Sequence, residues 1–82
     1  MSVRLDGTVI RLEGECRVED SEALLALLEG RADRAVDLTM ADSLHAAVVQ
    51  VLLALRPSLK GPPRDPFTAR WILPLLAAED AG

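Results

Sequence analysis

The sequence predicts an α/β domain with a small mixed β-sheet of three to four strands and helices packed largely on one face. Three observations support this fold class. Apolar and charged residues alternate near the N-terminus, as in a half-buried strand. Two later stretches repeat apolar residues at intervals of three and four, as in amphipathic helices. Between them lies a short apolar run, which indicates a strand–helix–strand crossover and a parallel strand pair.

The N-terminal segment is predicted to form a β-hairpin. Residues 3–5 alternate between apolar and charged side chains. Asp6 and Gly7 form a strong two-residue turn signal, because both residue types tolerate positive φ. The second strand is expected over residues 8–12 and ends at Gly14.

The first helix and the strand after it follow from caps and periodicity. Asp20 or Ser21 is expected to cap the helix N-terminus, and Gly30 is a natural C-terminal stop. The apolar stripe of this helix is formed by Leu24, Leu27 and Leu28. Residues 34–39 then predict a short strand.

The second helix has the clearest periodicity in the chain. It is predicted to begin near Asp42 or Ser43, which are both good N-caps, and Pro57 cannot continue it. We expect its main apolar face to lie in the core. That face contains Leu44, Ala47, Val48, Val51, Leu52 and Leu55.

The C-terminal third is predicted to contain a connector and a third helix. Residues 58–60 are compatible with a short strand, and prolines make the rest of the connector irregular. Asp65 and Pro66 open the helix, with the proline near the first helical position, where it is tolerated. Pro74 is expected to kink this helix or to shorten it.

Size and charge exclude some classes of protein. A chain of 82 residues forms one domain at most, here residues 1–82. Its net charge is −4, without an evident basic face, which disfavours nucleic acid and anionic membrane surfaces as partners. No apolar stretch approaches the roughly 20 residues that span a bilayer.

The cysteine and histidine content points to a reduced compartment. Cys16 is the only cysteine, so no internal disulfide forms, and a cytoplasmic location is the default expectation. One cysteine and one histidine, His45, fall short of any common zinc set. The chain also lacks the glycine spacing and lysine of a phosphate-binding loop. We therefore expect no metal and no cofactor.

Three stretches carry a resemblance to a known family. Residues 9–15 form a strand that closes on a Gly-Glu pair, residues 36–39 read Val-Asp-Leu-Thr, and a helix-like segment covers residues 44–55. This order resembles the STAS domain of bacterial anti-sigma-factor antagonists and of lipid-transport and sulfate-transporter modules. The resemblance extends over residues 3–77. It implies a minimal member that lacks the family's C-terminal strand and last helix.

The resemblance implies a docking helix without a phosphorylation switch. Antagonists of this family carry Asp-Ser or Asp-Thr at the start of the second helix, and a partner kinase phosphorylates the hydroxyl. Counting forward from Asp37 and Thr39, those positions fall on His45 and Ala46, and alanine has no hydroxyl. Ser43 would be reached only by a slip in register, and we interpret it as a helix cap.

The second helix also carries apolar residues on its outer side. Ala46, Val49 and Leu53 lie roughly opposite the core face, and an exposed apolar patch usually marks a contact surface. We predict a partner-binding site here, formed with Ser43 and His45. The alternative is that the third helix folds back and covers Val49 and Leu53.

The two aromatic residues also lie either in the core or on a contact surface. Phe67 and Trp71 are expected in the core, because core packing is the commoner use in a chain with so few aromatics. The alternative is that they anchor an interface. The edge of a shortened sheet also invites pairing with another chain, so a homodimer is possible.

These observations predict a non-enzymatic regulatory or adaptor module that binds a protein partner constitutively through its second helix. The resemblance implies an anti-sigma factor, a kinase-like protein or a transport-complex subunit as that partner. One alternative is a structural homo-oligomer or a subunit of a larger complex, for example in lipid transport. Another is an enzyme or phosphoacceptor that uses Asp37 or His45, although no catalytic set of residues is evident.

Overall fold

The computed structural model describes residues 2–77 and contains six short strands and a set of helices. In chain order the strands are β1 (Val3–Asp6), β2 (Val9–Leu12), β3 (Gly14–Cys16), β4 (Ala35–Asp37), β5 (Ala41–Leu44) and β6 (Ser58–Lys60). The helices are α1 (Val18–Leu28), α2 (Ala46–Leu55), a π-helical segment (Thr68–Ile72) and α3 (Leu73–Ala77).

The main sheet is mixed and has four strands, in the order β1-β2-β4-β6. The pair β1/β2 is antiparallel, whereas β2/β4 and β4/β6 are parallel. Helix α1 connects the two central strands, so the predicted crossover is confirmed. A separate parallel pair, β3/β5, forms a two-stranded sheet. The predicted α/β fold class, with a mixed sheet of three to four strands, is therefore correct.

The main sheet has one apolar face and one charged face. Ile10 and Val36 are register partners on β2 and β4, and both are completely buried. Their neighbours Arg11 and Asp37 are also register partners, and they point to the opposite face because side chains alternate along a strand. The helices cover the apolar face, as the sequence predicts.

The core is built almost entirely from aliphatic side chains. Leu24 of α1, Leu52 of α2 and Leu38 after β4 are each at most 1% exposed. Full burial of one such side chain stabilises the fold by about 1.5–3 kcal/mol relative to exposure. The buried apolar residues form one cluster of Val3, Ile10, Leu12, Cys16, Leu24, Leu28, Val36, Leu38, Ala41, Val48, Val49, Leu52 and Leu76.

Helix α1 begins earlier than its capping signals predict. Arg17 occupies the N-cap position, and Asp20 lies inside the first turn. The Asp20 carboxylate accepts a hydrogen bond of 2.7 Å from the backbone N–H of Arg17. Asp20 thus satisfies a free donor at the helix start from within the helix, and the predicted cap at Asp20 or Ser21 is wrong by about one turn.

Helix α2 begins later than predicted. Asp42 and Ser43 were expected as caps, but both lie in β5, and Ser43 is the register partner of Glu15. The backbone ladder with β3 outweighs the capping preference of these two residues. His45 is the actual N-cap, and its Nδ1 atom accepts a hydrogen bond of 3.0 Å from the N–H of Ala47.

The third helix starts where it was predicted to start. Asp65 accepts hydrogen bonds from the N–H of Thr68 at 2.9 Å and from its hydroxyl at 2.8 Å. Pro74 does not end the helix but lies in α3, directly after the π-helical segment, in which the N–H of Leu73 donates to the carbonyl of Thr68. The wider turn leaves room for a proline ring, which lacks an N–H for the usual helical hydrogen bond.

Candidate functional site

The outer face of α2 is largely covered. Val49 is only 8% exposed and belongs to the core cluster, and Leu53 is partly buried against the same cluster. Ile72 and Leu73 of the third helix also pack on this cluster. The expectation that Val49 and Leu53 lie on an open apolar face is therefore wrong, and the alternative of burial against the chain itself describes the structure.

The end of the third helix lies beside the end of α2. The guanidinium of Arg56, directly after α2, donates a hydrogen bond of 3.0 Å from Nη1 to the carbonyl of Leu76. Leu76 itself is 6% exposed and belongs to the core. Sequence periodicity missed this arrangement because it describes each helix separately and carries no information on how two helices pack together.

Three of the predicted partner-binding residues remain exposed, at the N-terminal end of α2. Ser43, His45 and Ala46 all lie on the surface. The Nδ1 atom of His45 is engaged in the helix cap. Polar and small side chains dominate this end of the helix, so it does not present the apolar surface that the sequence predicted.

The exposed apolar surface lies instead on the C-terminal helix. Phe67 is 63% exposed, Trp71 is 59% exposed and Leu75 is 48% exposed, and they recur at intervals of four residues. We name these three residues the aromatic face. The prediction that Phe67 and Trp71 lie in the core is wrong. Aliphatic residues fill the core instead.

Basic side chains border the aromatic face. The guanidinium carbon of Arg70 lies 5.2 Å from the ring centre of Trp71, a cation–π distance. Arg64 forms an ion pair of 2.8 Å with Asp42 on β5, and its Nη1 atom lies 3.9 Å from the sulfur of Met40, which is 48% exposed. Strand β5, which leads to the start of α2, contacts the π-helical segment. The helix that carries the aromatic face therefore packs beside the strand that leads to the start of α2.

Asp37 is held by hydrogen bonds within the fold. Its Oδ1 atom accepts from the N–H of Thr39 at 2.8 Å and from the Thr39 hydroxyl at 2.6 Å. Its Oδ2 atom lies 2.7 Å from Nη1 of Arg11. These donors, the Thr39 hydroxyl first, lower the pKa of Asp37. Both oxygens are engaged, so the arrangement explains Asp37 as a structural residue that fixes the turn after β4.

Cys16 and His45 are brought together by the backbone, which the sequence did not indicate. The N–H of His45 donates to the carbonyl of Cys16 at 2.8 Å, where β3 pairs with β5. Cys16 is 1% exposed, and burial raises the pKa of its thiol to about 11. A catalytic cysteine needs the opposite shift, because the thiolate is the nucleophile. The geometry gives Cys16 a packing role.

Clusters of metal-ligating side chains are not found in the part of the chain that the structure describes, since no three His, Cys, Asp or Glu residues converge there. Within residues 2–77, no helix has both the length and the apolar character needed to cross a membrane.

No protein-family model matches this chain, and no curated protein matches it. The resemblance to the STAS domain therefore stays a prediction from three short sequence stretches.

Proposed function

We propose that this chain is a small, non-enzymatic adaptor or regulatory module of the cytoplasm that binds a protein partner through its aromatic face. The supporting observation is the exposure of Phe67, Trp71 and Leu75 on one helix while the core is complete without them. Exposed apolar patches of this kind mark contact surfaces, and tryptophan is enriched among the residues that dominate binding energy.

In this proposal the docking surface lies on the C-terminal helix, and not on the outer side of α2 as the sequence predicts. Val49 belongs to the core and Leu53 packs against it, whereas Ser43, His45 and Ala46 stay exposed. These three residues would form the rim of the contact. The resemblance to anti-sigma-factor antagonists favours a protein partner, such as an anti-sigma factor, a kinase-like protein or a subunit of a transport complex.

Binding would be constitutive. Ala46 stands at the position where the resembled family carries a phosphorylated hydroxyl, so phosphate cannot be added there to break the contact. A homo-oligomer that covers the same face is the second candidate, because the exposed strand edges of β1 and β6 also offer a route to self-association.

The test compares affinity capture from the native cell by the wild type and by two variants. Trp71→Ser removes the centre of the aromatic face, and Leu25→Ser removes an apolar residue of α1 that is 38% exposed. We expect the same partner to be captured by the wild type and by Leu25→Ser, and to be lost with Trp71→Ser. Equal capture by both variants contradicts the proposal.

Light scattering after size-exclusion chromatography separates the two candidates. A monomer at micromolar concentration supports an adaptor that meets a different protein. A stable dimer that Trp71→Ser dissociates assigns the aromatic face to self-association instead. Circular dichroism of both variants verifies that they remain folded, as expected for substitutions at exposed positions.

A further inference from the structure

A cleft with three arginines lies at the end of the molecule where α1 and α2 terminate. Its volume is about 500 Å³. Arg31, Arg34 and Arg56 line it, together with apolar side chains that include Leu28, Leu55 and Pro57. Three of the nine basic residues of an acidic chain thus converge on one concave site. We infer that this cleft binds an organic phosphomonoester.

The backbone brings the arginines together through two residues with positive φ. Gly30 follows α1 with φ 76, which turns the chain so that Arg31, Ala32 and Arg34 border the cleft. Arg56 follows α2 with φ 48, a left-handed conformation that favours glycine and is unfavourable for other residues. Arg56 lines the cleft at this position.

The described lining of the cleft is mainly basic and apolar. No acidic residue is present among the described residues that line it, although Glu29 and Asp33 are close in sequence. Within residues 2–77, neither Arg31 nor Arg34 takes part in an ion pair. The guanidinium group presents N–H donors in a fork that matches two phosphate oxygens.

Hydrogen bonds to the carbonyl groups at the helix ends use only part of the N–H donors of the cleft arginines. Arg34 donates from Nη1 to the carbonyl of Leu27 at 2.6 Å, and a guanidinium has five N–H donors in total. The negative helix ends oppose an anion only weakly. Hydrogen bonds between charged groups are stronger than this effect. Two arginines that bind one phosphate therefore outweigh the two helix ends.

The size and walls of the cleft determine the class of ligand. Small-molecule sites occupy about 300–1,000 Å³, so the cleft is larger than a bare phosphate requires. Leu28, Leu55 and Pro57 provide an apolar wall for an organic group. A duplex or single-stranded nucleic acid does not fit the overall charge of −4, which repels a polyanion beyond the site itself.

Titration of phenyl phosphate, followed by the amide resonances of the ¹⁵N-labelled chain at constant ionic strength, tests the inference. We expect saturable shifts confined to residues 28–34 and 55–58. Inorganic phosphate should shift the same amides with weaker affinity, and phenol should not bind. Shifts that do not saturate overturn the site, and phosphate that binds as tightly as phenyl phosphate overturns the assignment of an organic ligand.

Two variants of equal charge provide the control. Arg31→Gln removes a side chain of the cleft that is exposed and outside the core, so the fold should persist. Arg70→Gln removes the same charge from the opposite part of the chain, beside Trp71. We expect Arg31→Gln to weaken binding about tenfold or more, and Arg70→Gln to weaken it less than about twofold. Equal weakening by the two variants would show that binding follows net charge alone.

Discussion

Arg11 on β2 and Asp37 on β4 face each other across the two central strands of the main sheet. They are register partners, and Nη1 of Arg11 lies 2.7 Å from Oδ2 of Asp37. Arg11 also lies 3.1 Å from Asp6 at the hairpin, so one guanidinium connects the hairpin to the parallel pair. This ion pair lies on the face of the sheet that the helices leave open.

Replacement of Asp37 should destabilise the protein. Asp37→Ala leaves the Thr39 hydroxyl and the Nη1 atom of Arg11 without their acceptor, and such losses cost about 1–3 kcal/mol in the free energy of unfolding. Urea unfolding followed by circular dichroism measures the change. Glu13→Gln, which breaks an exposed pair with Arg4, is the control and should cost clearly less, because solvent screens this pair. Equal decreases in the free energy of unfolding for the two variants would contradict the structural role of Asp37.

The stability of the protein should fall in acid partly through Asp37. The pKa of Asp37 is lower in the folded protein than in the unfolded chain. The ionised carboxylate therefore contributes its full stabilisation above the ordinary aspartate pKa of about 4, and this stabilisation is lost as the pH falls through the lowered pKa. Between about pH 5 and pH 2, the free energy of unfolding should decrease more for the wild type than for Asp37→Asn. The pair with Arg4 also lowers the pKa of Glu13, so some acid dependence should persist in the variant.

Substitutions on α2 should separate the buried side from the exposed N-terminal end. Val49→Asp places an unpaired charge in the core and should cost more than about 3 kcal/mol, enough to unfold a marginal domain. Ala46→Asp, in the first turn of the same helix, should change stability by less than about 0.5 kcal/mol or improve it, because an anion suits a helix N-terminus. Thermal unfolding of both variants distinguishes them. A folded Val49→Asp protein would restore the open face that the sequence predicts.

The cap at His45 gives a fourth measurable effect. His45→Ala removes the acceptor of the Ala47 N–H and should destabilise α2 by about 1 kcal/mol. His45→Asn should recover most of this loss, since asparagine is a preferred N-cap. Chemical denaturation of the two variants gives both values. Identical stabilities for alanine and asparagine would mean that the imidazole contributes nothing as a cap.

The thiol of Cys16 should be inert in the folded protein. With its pKa raised to about 11, the thiolate fraction near pH 8 is about 200-fold smaller than that of an ordinary cysteine, and burial slows access further. Ellman's reagent should therefore react far more slowly with the native chain than with the chain in urea. Similar rates under both conditions would contradict the buried position.

Local signals in the sequence were sufficient for the four strands of the main sheet, for the helices and for most of the core, but they did not predict β3 and β5. The turn at Gly7, the crossover through α1 and the cap at Asp65 depend on residues near one another in sequence, and all three are present. The start of α2 was misplaced because Asp42 and Ser43 are locally good caps. Their pairing with β3 is a long-range interaction that no local pattern reveals.

The candidate site depended on packing between distant segments, which the sequence did not provide. Whether Val49 is exposed depends on how the rest of the chain packs around α2, and the exposure of Trp71 depends on which face of the third helix reaches the core. The periodic spacing of apolar residues identifies the apolar faces of a helix. When a helix has two apolar faces, the spacing does not show which of them packs in the core. The arginine cleft was missed for the same reason, since Arg31 and Arg56 lie far apart in sequence.

The bend at Gly14, where φ is 70, means that the same two chain segments meet twice. Residues 9–16 and 35–44 form the β2/β4 ladder on one side of the bend and the β3/β5 ladder on the other. The entropic cost of closing the loop through α1 is incurred once for both ladders, because pairing of β2 with β4 already brings β3 close to β5. The two sheets therefore arise from one encounter of two segments, and we expect them to open together.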